Sequence, residues 1–151
     1  RAAADRLEPR AALQIEKATI CTRVGGFGQF VPRPIADHFK PNERVELYLE
    51  VRNLGSQPTA DGFVTHYHAA VEVRDAEDKV VGQIDPKEHR RVPVVRYDQR
   101  VVGRSPLHDV YVLYSFAAPP APGVYTITYQ LTDASGRRTA KSPPVEFRVA
   151  R

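Results

Sequence analysis

Cysteine, tryptophan and long apolar runs are scarce or missing in this chain of 151 residues. Cys21 is the single cysteine, so no internal disulfide can form, and a lone cysteine in a strand is typical of a small buried side chain. No apolar stretch approaches the roughly 18 residues that a membrane-spanning helix requires, so we predict no transmembrane segment. The single cysteine excludes a scaffold that is held together by internal disulfides.

Turn-forming residues and aromatic residues are both plentiful. The 13 prolines and 9 glycines, set against 7 tyrosines and 6 phenylalanines, predict short strands separated by many turns. The hydrophobic content of 42% and the charged content of 26% are ordinary for a soluble globular protein, and the length fits one domain. Residues 1–12 carry no strand pattern, so we expect a tether there and a single β-domain over 13–151.

Period-two alternation is the clearest structural signal. In 45–53, apolar residues at every second position alternate with polar or aromatic ones, which is typical of a half-buried antiparallel strand. The same pattern recurs in 125–131 and in 63–73, which a turn at 75–79 joins to the next strand as a hairpin. We therefore predict an all-β fold with seven or eight strands in two packed antiparallel sheets.

The first strand has an irregular pattern. Its apolar phase changes near Glu16 and Lys17, which predicts a β-bulge there. The glycine- and proline-rich stretch 24–40 then predicts a long connection after this strand.

Two short segments carry a family resemblance. Pro122-Gly123-Val124-Tyr125, followed by an alternating strand and a turn at Asp133, resembles the penultimate strand of bacterial immunoglobulin-like and fibronectin-III-like modules. Residues 41–47 are similar to the start of an earlier strand in the same modules. The resemblance implies an immunoglobulin-like sandwich in which the tyrosine hydroxyl bonds back to the corner backbone. The paired cysteines and core tryptophan of antibody domains are absent.

The resemblance also implies a function. Similar bacterial modules mostly serve as spacers, stalks or adhesive units of envelope proteins. We therefore expect a non-catalytic structural or protein-interaction module, exported to the periplasm, the cell surface or the medium. The pattern leaves the oligomeric state open.

We expect no enzymatic activity and no cofactor, because the two motifs that could indicate them are incomplete. Ser105, His108 and Asp109 are the residue types of a hydrolase triad, but a triad needs groups brought together from separate elements, beside an oxyanion hole. The glycines of 25–28 are followed by prolines and not by the helix that a phosphate-binding loop requires.

His66 and His68 form the strongest metal-like signal. Residues two apart on a strand project from the same face, so both imidazoles could reach one zinc or copper ion. The alternative is that the two histidines are ordinary polar residues on the solvent-exposed face. A site would need a further ligand, for which the candidates are His38, His89, His108 and Asp61.

A local basic segment accounts for the net charge of +4. Residues 87–104 carry six Lys or Arg against two acidic residues. Tyr97 is their only aromatic residue, so the segment lacks the stacking platform of single-strand binding proteins, and we do not expect a nucleic-acid partner. Arginines here could meet an anionic partner or guard the edge of a sheet against aggregation. If loop ends and outward faces bind a carbohydrate or peptide, the candidate residues are Tyr48, Tyr67, Arg91, Arg96 and Arg100.

Overall fold

All regular structure in the described part of the chain is β-strand. The computed structural model describes residues 12–107, 109–134 and 137–151. The strands in chain order are β1 Gln14–Gly26, β2 Gln29–Pro32, β3 Arg44–Arg52, β4 Gln57–Thr59, β5 Gly62–Asp75, β6 Val80–Val81, β7 Gln83–Ile84, β8 Arg91–Val92, β9 Val95–Gly103, β10 Val110–Ala117, β11 Gly123–Asp133, β12 Arg138–Lys141 and β13 Val145–Val149. In these residues no helix has the length and apolarity needed to cross a membrane.

The strands form two main sheets and one small hairpin. The first sheet has the order β10-β3-β1-β2. In the second sheet, β5 pairs with β11 on one edge and with β9 on the other, β11 pairs further with β12 and β13, and β4 and β6 extend the pairing of β5. Strands β7 and β8 pair with each other. All of these pairings are antiparallel.

The two main sheets share one hydrophobic core. Val45, Leu47, Leu49 and Val51 of β3 are fully buried, and they belong to the same cluster as the inward side chains of β11. Burying one such side chain contributes about 1.5–3 kcal/mol, so this layer is the main stabilising element of the fold. The predicted all-β, antiparallel, sandwich-like arrangement is confirmed at this level.

The strand count and the predicted long connection differ from the structure. The described residues contain thirteen strands instead of seven or eight, because short pairings divide several of the predicted loops. The prediction of a long connection over 24–40 is wrong for the first half of that stretch, since β1 runs to Gly26 and β2 returns beside it. Gly28, with a φ of 73°, adopts the left-handed conformation that lets the chain reverse within two residues.

The predicted bulge in β1 is confirmed. The register between β1 and β3 shifts between Glu16 and Thr19, and Lys17 has a φ of 51°. The shift moves the following apolar residues of β1 onto the core side, which explains the change of phase in the sequence.

The prediction that Tyr48 lies on an exposed outward face is wrong. The β1–β2 hairpin folds over that face, and the Tyr48 ring stacks on Phe30 at a centroid distance of 4.3 Å and on Tyr111 at 5.8 Å. The Tyr48 hydroxyl donates to Glu50 Oε2 at 2.6 Å and accepts the N–H of Gly28 at 2.8 Å. The side chains of Tyr48 and Glu50 are both fully buried. Alternation placed them correctly opposite the core, but it carried no information about the hairpin that covers them.

The corner before β11 has the bond that the resemblance implied. The Tyr125 hydroxyl donates to the Ala121 carbonyl at 2.6 Å, while the Tyr125 ring stacks on Phe147 of β13. The side chain thereby joins the turn at 119–123 to the core.

Removing this hydroxyl should destabilise the fold without repacking it. We expect Tyr125→Phe to lower the free energy of unfolding by about 1 kcal/mol, since the ring stays and one hydrogen bond is lost. Urea unfolding followed by circular dichroism measures the change. Tyr111→Phe is the matched control, because Tyr111 is 42% exposed. Equal losses in the two variants would contradict the assignment.

Candidate binding site

A cleft opens between the edge strands of the two sheets. Within the described chain, β9 pairs only with β5 and β10 pairs only with β3, so each has one free edge. The space between them measures about 680 Å³, within the usual range of ligand pockets. Its lining includes Leu54, Thr65, Tyr67, Tyr97, Val101, Leu107, Val112 and Tyr114.

The cleft exists because β9 leaves the core along its length. Val95 is 1% exposed at the start of the strand, whereas Val101, on the same face, is 36% exposed. Between them Tyr97 is half-buried and Gln99 is exposed. The two sheets therefore close tightly at one end of β9 and stand open at the other.

Tyrosines fill the closed end of the cleft. The Tyr97 ring lies parallel to that of Tyr114 at 6.2 Å, and the Tyr97 and Tyr129 hydroxyl oxygens are 2.5 Å apart. The Tyr114 hydroxyl donates to Gln83 Oε1 at 3.1 Å, which ties β10 to the β7–β8 hairpin. Burial raises the pKa of all four phenols, including Tyr67, so they stay neutral at physiological pH.

A second feature lies on the outer face of the second sheet. His66 and His68 project outward from β5, and Asp98 lies directly opposite His68 on β9. His68 Nδ1 is 2.5 Å from Asp98 Oδ1, and His66 Nε2 is 4.0 Å from Asp98 Oδ2. One possible ligand atom from each of the three residues falls within 4.8 Å of the others. The hydrogen bond from His68, with the nearby imidazole charges, lowers the pKa of Asp98.

The arginine segment contributes to the same outer face. Arg100 lies opposite His66 across the β5–β9 pairing, and Arg96 lies opposite Ala70. Arg96 and Asp98 border both the cleft and a shallow depression of about 320 Å³ on this face. Arg91 is separate, since it belongs to β8 and donates to the Gly82 carbonyl.

The other predicted residues are distributed over the molecule. Tyr67 lines the cleft but is 6% exposed, so it presents little surface to a ligand, and Tyr48 lies buried on the other sheet. Among the candidates for a third metal ligand, His38, His89 and Asp61 are not in the cluster, and His108 lies outside the described residues. Any role of these residues in binding stays a prediction.

The sequence reasoning missed Asp98 as the partner of the histidines. The available signal was the alternation of Arg96, Asp98 and Arg100 on one face of a strand. The sequence does not indicate the pairing partner of that strand, because Pro93 and the mixed phase around it obscure where the strand begins.

Of the three residues in the weak triad motif, the structure describes Ser105 and Asp109. The Asp109 carboxylate accepts hydrogen bonds from Arg52 Nη1 at 3.1 Å and from the Asn53 N–H at 3.2 Å. It is thus engaged in joining β3 to the segment before β10. His108 again lies outside the described residues.

No protein-family model and no curated protein matches this sequence. Solved structures that are similar in shape include two proteins of low sequence identity. A family 123 glycoside hydrolase from Clostridium perfringens, studied for glycolipid glycan hydrolysis, is 7% identical with a TM-score of 0.44, over 75% of this chain and 22% of the hydrolase. The C-terminal domain of wzt is 9% identical with a TM-score of 0.46, over 94% of this chain and 75% of that domain. At these scores neither likeness bears on activity.

The buried tyrosines predict a loss of stability at high pH. Burial raises the pKa of Tyr67 to about 12, above the value of about 10 for a phenol in an unfolded chain. The stabilising contribution of the neutral Tyr67 phenol is therefore complete below about pH 10, and it is lost as the pH rises through the pKa of Tyr67 in the folded state. We expect the urea midpoint to fall over this interval, and to fall less in Tyr67→Phe.

Tyr111→Phe again serves as the control, because it removes an exposed phenol. It should follow the wild-type pH dependence. If Tyr67→Phe and the wild type lose stability in parallel, the buried phenol of Tyr67 is not the cause.

Proposed function

We propose that the chain is a non-catalytic, immunoglobulin-like module, of the kind found in exported and envelope proteins of bacteria. Its function in this proposal is to bind an extended peptide segment of a partner protein along the free edge of β10. The observation that carries the proposal is the uncharged edge of β10, which has no strand partner where it borders the cleft over residues 110–115.

The composition and register of β10 support strand addition. Its eight residues contain no charged residue and no proline, and all of them pair with β3 without a bulge. Edge strands are commonly protected by charges, prolines or bulges, because a free edge accepts a further strand. The other wall of the cleft, β9, has such protection in Arg96, Asp98 and Arg100.

The outward side chains of β10 provide contacts for an added strand. Tyr111 and Leu113 are 42% and 41% exposed on the outer face, whereas Val112 and Tyr114, which line the cleft, are largely buried. The cleft follows β10 over residues 110–115, about 20 Å of extended chain. Main-chain hydrogen bonds would supply affinity, and alternate side-chain contacts would supply specificity.

The chemistry of the cleft supports binding over catalysis. Its buried phenols are neutral, and its charged groups lie at the rim, at Asp85, Lys87, Arg96 and Asp98. An acid–base reaction at neutral pH needs a group that titrates near that pH within reach of the substrate. The raised phenol pKa values in the interior oppose such a role.

The test is selection of random ten-residue peptides on the wild-type protein, followed by titration of the selected peptides against two variants. Leu113→Lys places a charge on the exposed face of β10, and we expect affinity to fall about tenfold or more. Val102→Lys is the matched control, since Val102 is a 50% exposed residue on the opposite edge strand. It should change affinity less than about twofold. Hydrogen exchange should show new protection of β10 amides in the complex.

Three results would overturn the proposal. These are the failure of selection to yield a binding peptide, equal affinity of the peptides for wild type and Leu113→Lys, or protection of amides away from β10. A panel of soluble glycans forms the second arm. Glycan binding that Leu113→Lys abolishes, with no peptide binding, would replace the peptide by a carbohydrate.

A further inference from the structure

The outer face of the second sheet carries a second site, none of whose residues belongs to β10. We propose that His66, His68 and Asp98 form a zinc site with three protein ligands. The pairing of β5 with β9 sets their placement, because His66 and His68 share one face of β5 and Asp98 stands opposite His68. Two imidazoles and one carboxylate, with a fourth position open, are a common donor set for zinc.

The backbone positions of the three residues suit a shared zinc ion, while their side chains must rotate slightly to coordinate it. Two ligands on one tetrahedral zinc lie about 3.4 Å apart, from zinc–nitrogen and zinc–oxygen distances near 2.1 Å. His68 Nδ1 and Asp98 Oδ1 are 2.5 Å apart, and His66 Nε2 and Asp98 Oδ2 are 4.0 Å apart. The ion would separate the first pair and draw the second together. Coordination through Nδ1 of His68 also requires the tautomer with its hydrogen on Nε2.

The exposure of the cluster permits this adjustment. The side chains of His66, His68 and Asp98 are 40%, 50% and 63% exposed, so their rotamers change without disturbing the core. Solvent also reaches the cluster directly, which leaves the fourth coordination position to water or an external ligand.

Nearby positively charged side chains influence the affinity of the site for zinc. Arg96 and Arg100 lie on either side of Asp98 along β9, and neither makes an ion pair within the described residues. Lys87 lines the same shallow depression as Asp98. These positive charges weaken cation binding and favour an anionic fourth ligand on the ion. We therefore expect a moderate affinity and not that of a closed structural zinc site.

The test is titration of zinc chloride into the untagged full chain by competition with a chromophoric chelator. We expect one zinc ion per chain, and affinity at least about tenfold lower in His68→Ala and in Asp98→Asn. His89→Ala and Asp61→Asn remove the same residue types from exposed positions outside the cluster, and they should retain affinity within about twofold. As a second readout, zinc should raise the melting temperature of the wild type and of the controls only.

Circular dichroism of each variant before titration shows that it is folded. The absence of zinc binding in the wild type would overturn the proposal. Equal affinity in Asp98→Asn and the wild type would also overturn it, as would equal losses in the cluster and control variants. These outcomes are distinguishable from failure of the peptide test, because no residue of the zinc cluster belongs to β10.

Discussion

Strand β5 is the element on which the arrangement of the other strands depends. It is paired on one edge with β11 and on the other with β9, and five residues, 67–71, have partners on both sides. A buried backbone group without a hydrogen-bond partner is costly, so both neighbours must be held in register along it. Its inward side chains belong to the same hydrophobic core as those of β3 and β10.

The same constraint produces both candidate sites. Because β9 stays paired to β5 while its inward side chains lose contact with the first sheet, a cleft opens beside β10. Because that pairing is in register, Asp98 faces His68 on the outer surface. Gly62 belongs to this constraint as well. It has a φ of 128°, and a Cβ there would lie 2.5 Å from the Gly103 carbonyl oxygen, so only glycine allows the two strand ends to approach this closely.

Two ion-paired clusters fasten the ends of the sheets without contributing to either site. Glu50, buried beneath the β1–β2 hairpin, is bound by Tyr48 and Arg52. Asp133 accepts the Gly55 N–H and pairs with Arg138, and Arg138 also donates to the Asn53 carbonyl. Both carboxylates are fully buried and bonded to a cationic partner. Removing one partner would leave an uncompensated buried charge, which is strongly destabilising, so each pair is expected to hold its loop in place.

The sequence by itself determined which residues form the core of the clearest strands, the bulge in β1, the bond of Tyr125 at its corner and the common face of His66 and His68. These are local properties, since side chains alternate along any strand and a turn is encoded by its own few residues. Only the tertiary structure decided that the β1–β2 hairpin covers Tyr48, that β9 and β10 enclose a cleft, and that Asp98 meets His68 from thirty positions away. The physical reason is that partners and registers are chosen by hydrogen bonds between distant strands, and one pattern of alternation is compatible with many such pairings.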